Sequence, residues 1–406
     1  MNVLTDARLP FEFFIEGGRS RTGHLLPARL GLLSMLLDNQ ARQPQQRLAL
    51  IPVWIDYDQI PDVTSYISQL NGQPKRKESL FSTLKSFRLL KRKLGTARIT
   101  FAQPLLLESS QITAQPAAIR IGNDILQRIN HCAQLSPAAL LAITLLDQPQ
   151  QNRQTLTANL TDLLSTARQL NKLTDSGHAL TAADMIATAL QHDQLTLSHD
   201  QVTLNTQQTA SFWYLRNSSE HCMLLPALYL LFCQRLARPH ALNINRLIRL
   251  IYPLLQAEYY LHTDPADLTL ELKQMRRQLI QASLLQSAAR QHWLCTTQPA
   301  VSILQRMAEG ILIRYAILIG TLDRTPGLMR DELTQTCQNI GLQLQQKTGH
   351  PVALYADTRA LEHLIDLLLQ FEIIVEDQAQ LRLNKLPRDL LTKMRQLLPE
   401  HVAALI

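Results

Sequence analysis

Residues 13–23 read FFIEGGRSRTG and hold the residue types that bind a phosphate ester. An apolar run ends in Glu16, and Gly17 and Gly18 follow. Paired glycines let a backbone turn sharply and let a ligand approach it closely. Arg19 and Arg21 each offer a planar fork of N–H donors to a phosphate, and Ser20 and Thr22 add hydroxyls. Glu16, at the end of the run, is placed to fix an arginine or a ligand hydroxyl. No G-K-[ST] follows, so this is not a nucleotide loop of the Walker type. The chemistry suggested is a small phosphate-ester pocket. An ordinary charged turn after a strand has the same composition, and spacing alone leaves that alternative open.

The pocket needs a scaffold, and the first hundred residues read as α/β. Residues 11–16 (FEFFIE), 48–58 (LALIPVWIDYD) and 97–104 (ARITFAQP) predict strands. Pro52 lies inside the second and argues for an edge position or a bulge. Residues 29–43 repeat their apolar positions at helical spacing, so strand, helix, strand predicts a right-handed crossover in a mostly parallel sheet. After about residue 110 the segments become amphipathic helices rich in Leu, Gln and Ala, clearest at 156–173 and 243–261. Ser136 before Pro137, and Thr181, read as helix N-caps. Residues 194–205 (QLTLSHDQVTLN) alternate about a turn and predict a hairpin or small winged element, and 379–387 (AQLRLNKLP) suggest another.

Composition sets the outer bounds. The chain has 406 residues, 46% hydrophobic and 18% charged, which fits a globular protein with a sizeable core. Its net charge of +7 is local: nine Lys or Arg fall between Asn71 and Arg98, against the single acid Glu78. Such a stretch suggests a phosphate-bearing partner or an anionic membrane surface, or is simply a solvated helix face. It carries no nucleic-acid-binding motif, so no nucleic-acid partner is expected. Cys132, Cys222, Cys233, Cys295 and Cys337 are scattered, which fits buried thiols in a reducing compartment and offers no metal-ligand spacing. The N-terminus lacks a signal-peptide pattern, and no uncharged apolar run reaches 18 residues. The nearest candidates, 223–237 and 310–322, are broken by Pro226 and Arg314 and read as buried core helices or faces resting on a membrane.

FFIEGGRSRTGHLLPARLGLLSM resembles the glycerol-phosphate-binding block of the bacterial membrane-bound glycerol-3-phosphate acyltransferases. Glu16, Gly17, Gly18, Arg19, Ser20, Arg21, Thr22 and Gly23 match it position by position, and His24 stands where the family usually has Lys or Arg. A second block is similar at Pro52, Tyr57, Gly72, Lys75, Lys77, Glu78, Ser79 and Leu80. Gln103-Pro104, the Y-x-R-N of Tyr214, Arg216 and Asn217, and the segment IRLIYPLLQAEYYL resemble later blocks in the family's order.

The resemblance implies an α/β remnant of an acyltransferase domain over residues 1–110, followed by a mostly α-helical C-terminal region over 111–406. It implies acyl transfer from acyl-CoA or acyl carrier protein to the C1 hydroxyl of glycerol 3-phosphate, with no cofactor beyond the acyl donor and no metal. The substrate-binding residues would be Glu16, Gly17, Gly18, Arg19, Ser20, Arg21 and Pro52. The family's general base, a histidine five residues before an aspartate, lies in a block well upstream of this one. Twelve residues precede Phe13, so the chain is expected to be a fragment without that base and to hold no catalytic residue of its own. His262 and Asp267 share the spacing, but HTDPAD reads as a turn and helix cap. Ser198, His199 and Asp200 are consecutive and read as a loop, since neighbouring residues cannot generally converge on one atom. The expected location is peripheral, on the cytoplasmic face of a bacterial inner membrane. The alternative is an inactive remnant acting as a membrane-associated helical binding module.

Overall fold

Pro52 has no N–H to give a ladder, and the strand breaks there. The structure is a computed structural model describing residues 10–18, 20, 22–43, 48–59, 95–107, 117–288, 292–348, 358–370, 372–384 and 388–405. Helix α1 (Leu30–Arg42) precedes β1 (Leu48–Leu50) and β2 (Val53–Tyr57), which flank Pro52. The chain returns as β3 (Ala97–Phe101) and β4 (Leu105–Leu107). β2 pairs antiparallel with β3, Val53 opposite Phe101 and Tyr57 opposite Ala97, and β1 pairs antiparallel with β4. At the break the Pro52 carbonyl accepts the Ala102 N–H at 2.9 Å.

The expected parallel crossover is therefore corrected: these strands form antiparallel ladders. The first predicted strand is corrected too, since residues 11–16 pair with no strand among the described residues. The carbonyls of Phe14 and Ile15 accept from Gly17 and Arg29 instead, which commits that backbone to a turn.

The β2–β3 ladder has two unlike faces, as its period of two requires. Trp54 and Asp56 point inward, while Tyr57, Ile99 and Phe101 are exposed. Asp56 is bound by Arg98 at 3.2 Å, and the same guanidinium reaches Asp58 at 2.7 Å and Ser176 at 3.1 Å. Arg98 belongs to the basic stretch, yet here it neutralises a buried acid. The stretch from Lys75 to Lys93 lies outside the described residues.

Chain contacts gather into two compact units. The first comprises Met1–Leu164, Lys172–Cys222 and Tyr259–His262; the second comprises Ser165–Asn171, Met223–Glu258 and Thr263–Ile406. Beyond the ladders, the first unit contains α2 (Ala117–His131) and α3 (Pro137–Asp147), and the chain continues into α4 (Arg153–Gln169). Then come α5 (Asp175–Ala179), α6 (Ala182–Gln191) and α7 (Thr206–Ser219). Helix α3 is buried along nearly its whole length and packs against α6 and α7. Its start is fixed by the Ser136 hydroxyl, which accepts the Ala139 N–H at 3.3 Å, with Pro137 in the first turn. Thr181 and Asp184 form a reciprocal capping box on α6. The predicted hairpin is Thr196–Ser198 against Gln201–Thr203, turning through His199 and Asp200 at positive φ.

In the second unit, α8 (Leu224–Arg235) packs against a later helix, Pro299–Arg324. Between them lie α9 (Ala241–Tyr259) and α10 (Leu268–Gln281), so Pro299–Arg324 is α11. The two broken apolar runs fall largely on α8 and α11; residues 310–322 are buried throughout, and the first run is buried from Met223 to Cys233 and opens to solvent after it. Arg314, in the middle of α11, binds Glu258, which also accepts from the Tyr315 hydroxyl. Near the end of the chain Ile374–Asp377 and Gln380–Leu383 form the second hairpin. Asp264 accepts the Ala266 N–H at 2.8 Å, a turn that leads into α10. Among the described residues no helix is long and apolar enough to cross a membrane.

Candidate functional site

The segment from Phe14 to Arg29 is a loop closed by its own hydrogen bonds. Gly17 donates to the Phe14 carbonyl at 2.9 Å and Arg29 to the Ile15 carbonyl at 2.8 Å. Glu16 accepts the Leu26 N–H at 2.7 Å, so this acid bridges the base of the loop. Burial raises its pKa, and the Leu26 N–H opposes the shift. Ser20 is buried, and its hydroxyl oxygen accepts the Gly23 N–H at 3.0 Å. A hydroxyl that accepts can still donate its proton to a ligand. Gly17 sits at φ +64, and a Cβ there would lie 2.7 Å from Cγ of Arg29, whose stem crosses it.

Gly18 is exposed, and among the described residues nothing lies within 4 Å of where a Cβ would stand. Arg19 and Arg21 lie outside the described residues, as do Gly72, Lys75, Lys77, Glu78, Ser79 and Leu80 of the second block. Pro52 gives its carbonyl to Ala102 and has no N–H to offer a ligand.

The far side of the loop rests on the last turn of α7. Gly23 is at φ +93, and a Cβ built there would lie 2.3 Å from the Tyr214 carbonyl oxygen. Asn217 donates its side-chain N–H to the Thr22 carbonyl at 2.8 Å. His24 Nε2 donates to Glu220 Oε1 at 3.2 Å. Glu220 is 2% exposed and also accepts from Arg216 Nε at 2.9 Å and the Tyr259 hydroxyl at 3.0 Å. The His24 and Tyr259 rings meet edge to face at 5.5 Å. Tyr259 is itself tied down: its carbonyl accepts from the Asn130 side chain.

Glu220, Tyr259 and Arg29 were not among the residues selected from the sequence. The Y-x-R-N pattern was a signal, but its consequence is a contact 195 residues away in the chain.

His199 and its neighbours form the hairpin turn, with the Ser198 hydroxyl and His199 Nδ1 3.1 Å apart. His221 is half-buried and donates Nε2 to the Asn130 carbonyl at 3.1 Å. Burial pushes its imidazole from 6.5 down to about 4, against the Asn130 carbonyl and the Glu220 charge, which favour the cation. The neutral ring is thus built into the fold, while the unfolded chain takes up a proton near pH 6.5. Its stabilisation is complete above that pH and is lost as pH falls toward 4. Asp56 runs the other way: burial pushes it up to about 6 despite Arg98, so ionising it costs stability between about 4 and 6. The two nearly cancel in that window. His221→Gln should remove one arm. Urea denaturation at pH 6.5 and pH 4.5 should then show the variant gaining about 2–3 kcal/mol on the parent at the lower pH. Equal pH dependence in both proteins would refute the assignment.

The loop thus presents two glycines at its tip, a buried serine hydroxyl and an acid that fixes its base. In sequence two arginines flank that serine. The family described as glycerol-3-phosphate acyltransferase C-terminal region matches residues 66–377. A glycerol-3-phosphate acyltransferase of Pseudomonas fluorescens (strain Pf0-1) is 25% identical over 416 residues, covering 93% of this chain and 49% of the relative. One of Pseudomonas syringae pv. tomato (strain ATCC BAA-871 / DC3000) is 25% identical over 412 residues, with the same coverage. The chain therefore spans about half the length of these curated relatives, and it belongs to the glycerol-3-phosphate acyltransferase family through that family's C-terminal region.

Proposed function

We propose that this chain supplies the glycerol 3-phosphate pocket of a glycerol-3-phosphate 1-O-acyltransferase, the reaction that starts phospholipid synthesis. The observation that carries this reading is the closed loop of residues 14–26, with its positive-φ glycines and the buried Ser20 between two arginines in sequence. Arg19 and Arg21 would take the phosphate, with Ser20 donating and the Gly17–Gly18 backbone allowing close approach. Glu16 would hold the loop's base through Leu26 and turn its other oxygen to a glycerol hydroxyl. The acyl donor would be acyl-CoA or acyl carrier protein. Deprotonation of the C1 hydroxyl falls to a base outside this chain. In this reading the chain is a fragment, held peripherally at the cytoplasmic face of a bacterial inner membrane.

Isothermal titration with glycerol 3-phosphate tests the pocket without requiring turnover. Saturable binding is expected, competed by inorganic phosphate and not by glycerol. Arg19→Ala or Arg21→Ala should weaken it by roughly 10- to 100-fold, the loss typical of one charge-assisted hydrogen-bonding group. No binding at millimolar ligand would overturn the reading and leave the helical binding module as the alternative.

A further inference from the structure

We infer that Asn217 and Glu220, at the C-terminal end of α7, are positioning residues that hold the phosphate-ester loop in its binding shape. This rests on the pocket reading above. Glu220 is deeply buried, and a carboxylate leaves water only when its oxygens are met. Arg216, four residues earlier on the same turn, already supplies the opposite charge to Oε2. Oε1 takes two further donors, neither local in sequence: the Tyr259 hydroxyl and His24 of the loop. Charge compensation alone needs no contact with the loop. If the loop lifts away, Oε1 keeps the Tyr259 hydroxyl but gives up the His24 N–H, so the loop's release costs a buried, charge-assisted hydrogen bond.

Asn217 acts on the same segment from the same turn, satisfying the Thr22 carbonyl. Between these two anchors lies Gly23, pressed against the Tyr214 carbonyl. Its N–H closes back on Ser20, the residue between the two arginines. Consecutive loop residues 22, 23 and 24 are thus each fixed by a different group of residues 214–220. The Glu220–Arg216 ion pair spans that turn, and the turn sets the loop. Neither Asn217 nor Glu220 needs to touch the ligand.

The test uses the full chain and two readouts. Asn217→Asp keeps the shape and removes the donor; His24→Ala removes the loop's hold on Glu220; His24→Gln restores a donor. Amide hydrogen exchange at Gly23 and Leu26 reports the loop directly, because those N–H groups bond within it. Asn217→Asp and His24→Ala should speed that exchange about five- to tenfold and weaken glycerol 3-phosphate binding by a similar factor. Exchange in the buried middle of α3 should stay unchanged, and His24→Gln should recover most of both effects. A merely structural role would instead loosen α3 along with the loop and leave the ligand affinity of the folded fraction intact. Unchanged exchange at Gly23 and Leu26 would overturn the inference while leaving the pocket reading standing. A parent chain that does not bind glycerol 3-phosphate would sink the pocket reading, and the exchange data would still decide whether the clamp exists.

Discussion

Gly23→Ala should detach the loop from α7 and abolish glycerol 3-phosphate binding. Two independent costs fall on one methyl group. The backbone at φ +93 is open to glycine and strained for any residue with a Cβ. The methyl would also stand 2.3 Å from the Tyr214 carbonyl oxygen and 3.2 Å from Cβ of Asn217. The first obstacle is helix backbone, which cannot rotate aside as a side chain can. The loop must therefore move, and it takes the Asn217–Thr22 and His24–Glu220 contacts with it. Strain and lost contacts together should cost about 3 kcal/mol or more, with affinity falling by at least about 100-fold. Urea denaturation and calorimetric titration measure the two effects. A variant within about 1 kcal/mol of the parent that still binds would show that the Gly23–Tyr214 approach is not what shapes the site.

Gly18→Ala is the informative control. Among the described residues its added methyl meets nothing within 4 Å, and it needs no unusual φ, so the fold should tolerate it. If stability holds and affinity drops, the space beside Gly18 is where the ligand approaches the backbone.

What the sequence disclosed was mostly local. Ser136-Pro137 and the Thr181–Asp184 box are caps because their partners lie three residues away. The SHDQ turn is a hairpin because alternating residues flank two positions able to take positive φ. The loop block stood out because eight consecutive residues carry both the turn chemistry and the charge. Strand partners are different. LALIPVWIDYD states that its residues favour an extended, half-buried surface, and nothing in it states which strand lies alongside or in which direction. Residues 11–16 have the same apolar character, yet their carbonyls close a turn. The clamp was least legible of all. Glu220 lies 196 residues from His24 and 39 from Tyr259, and no spacing rule links positions that meet only after folding.

The same limit applies to Arg314, whose charge interrupts GILIRYAILIGTL and whose partner lies 56 residues earlier. Glu258→Ala should be the most destabilising single change in the second unit. Arg314 and Glu258 are 6% and 4% exposed, and the Tyr315 hydroxyl is the carboxylate's other partner. Removing the acid leaves a guanidinium in the apolar middle of a 26-residue helix packed on α8. Breaking a buried ion pair by removing one partner typically costs 3–5 kcal/mol, so about that loss is expected in urea denaturation followed by circular dichroism. The pair itself need not be a net source of stability, because both ions give up their hydration to form it. Replacing all three groups together, Glu258→Leu with Arg314→Met and Tyr315→Phe, should therefore return stability to within about 1 kcal/mol of the parent or above it. A single variant as stable as the parent would mean that water reaches Arg314 and that the charge is not buried in solution. A triple variant as unstable as the single one would assign the loss to packing around Glu258 rather than to the stranded charge.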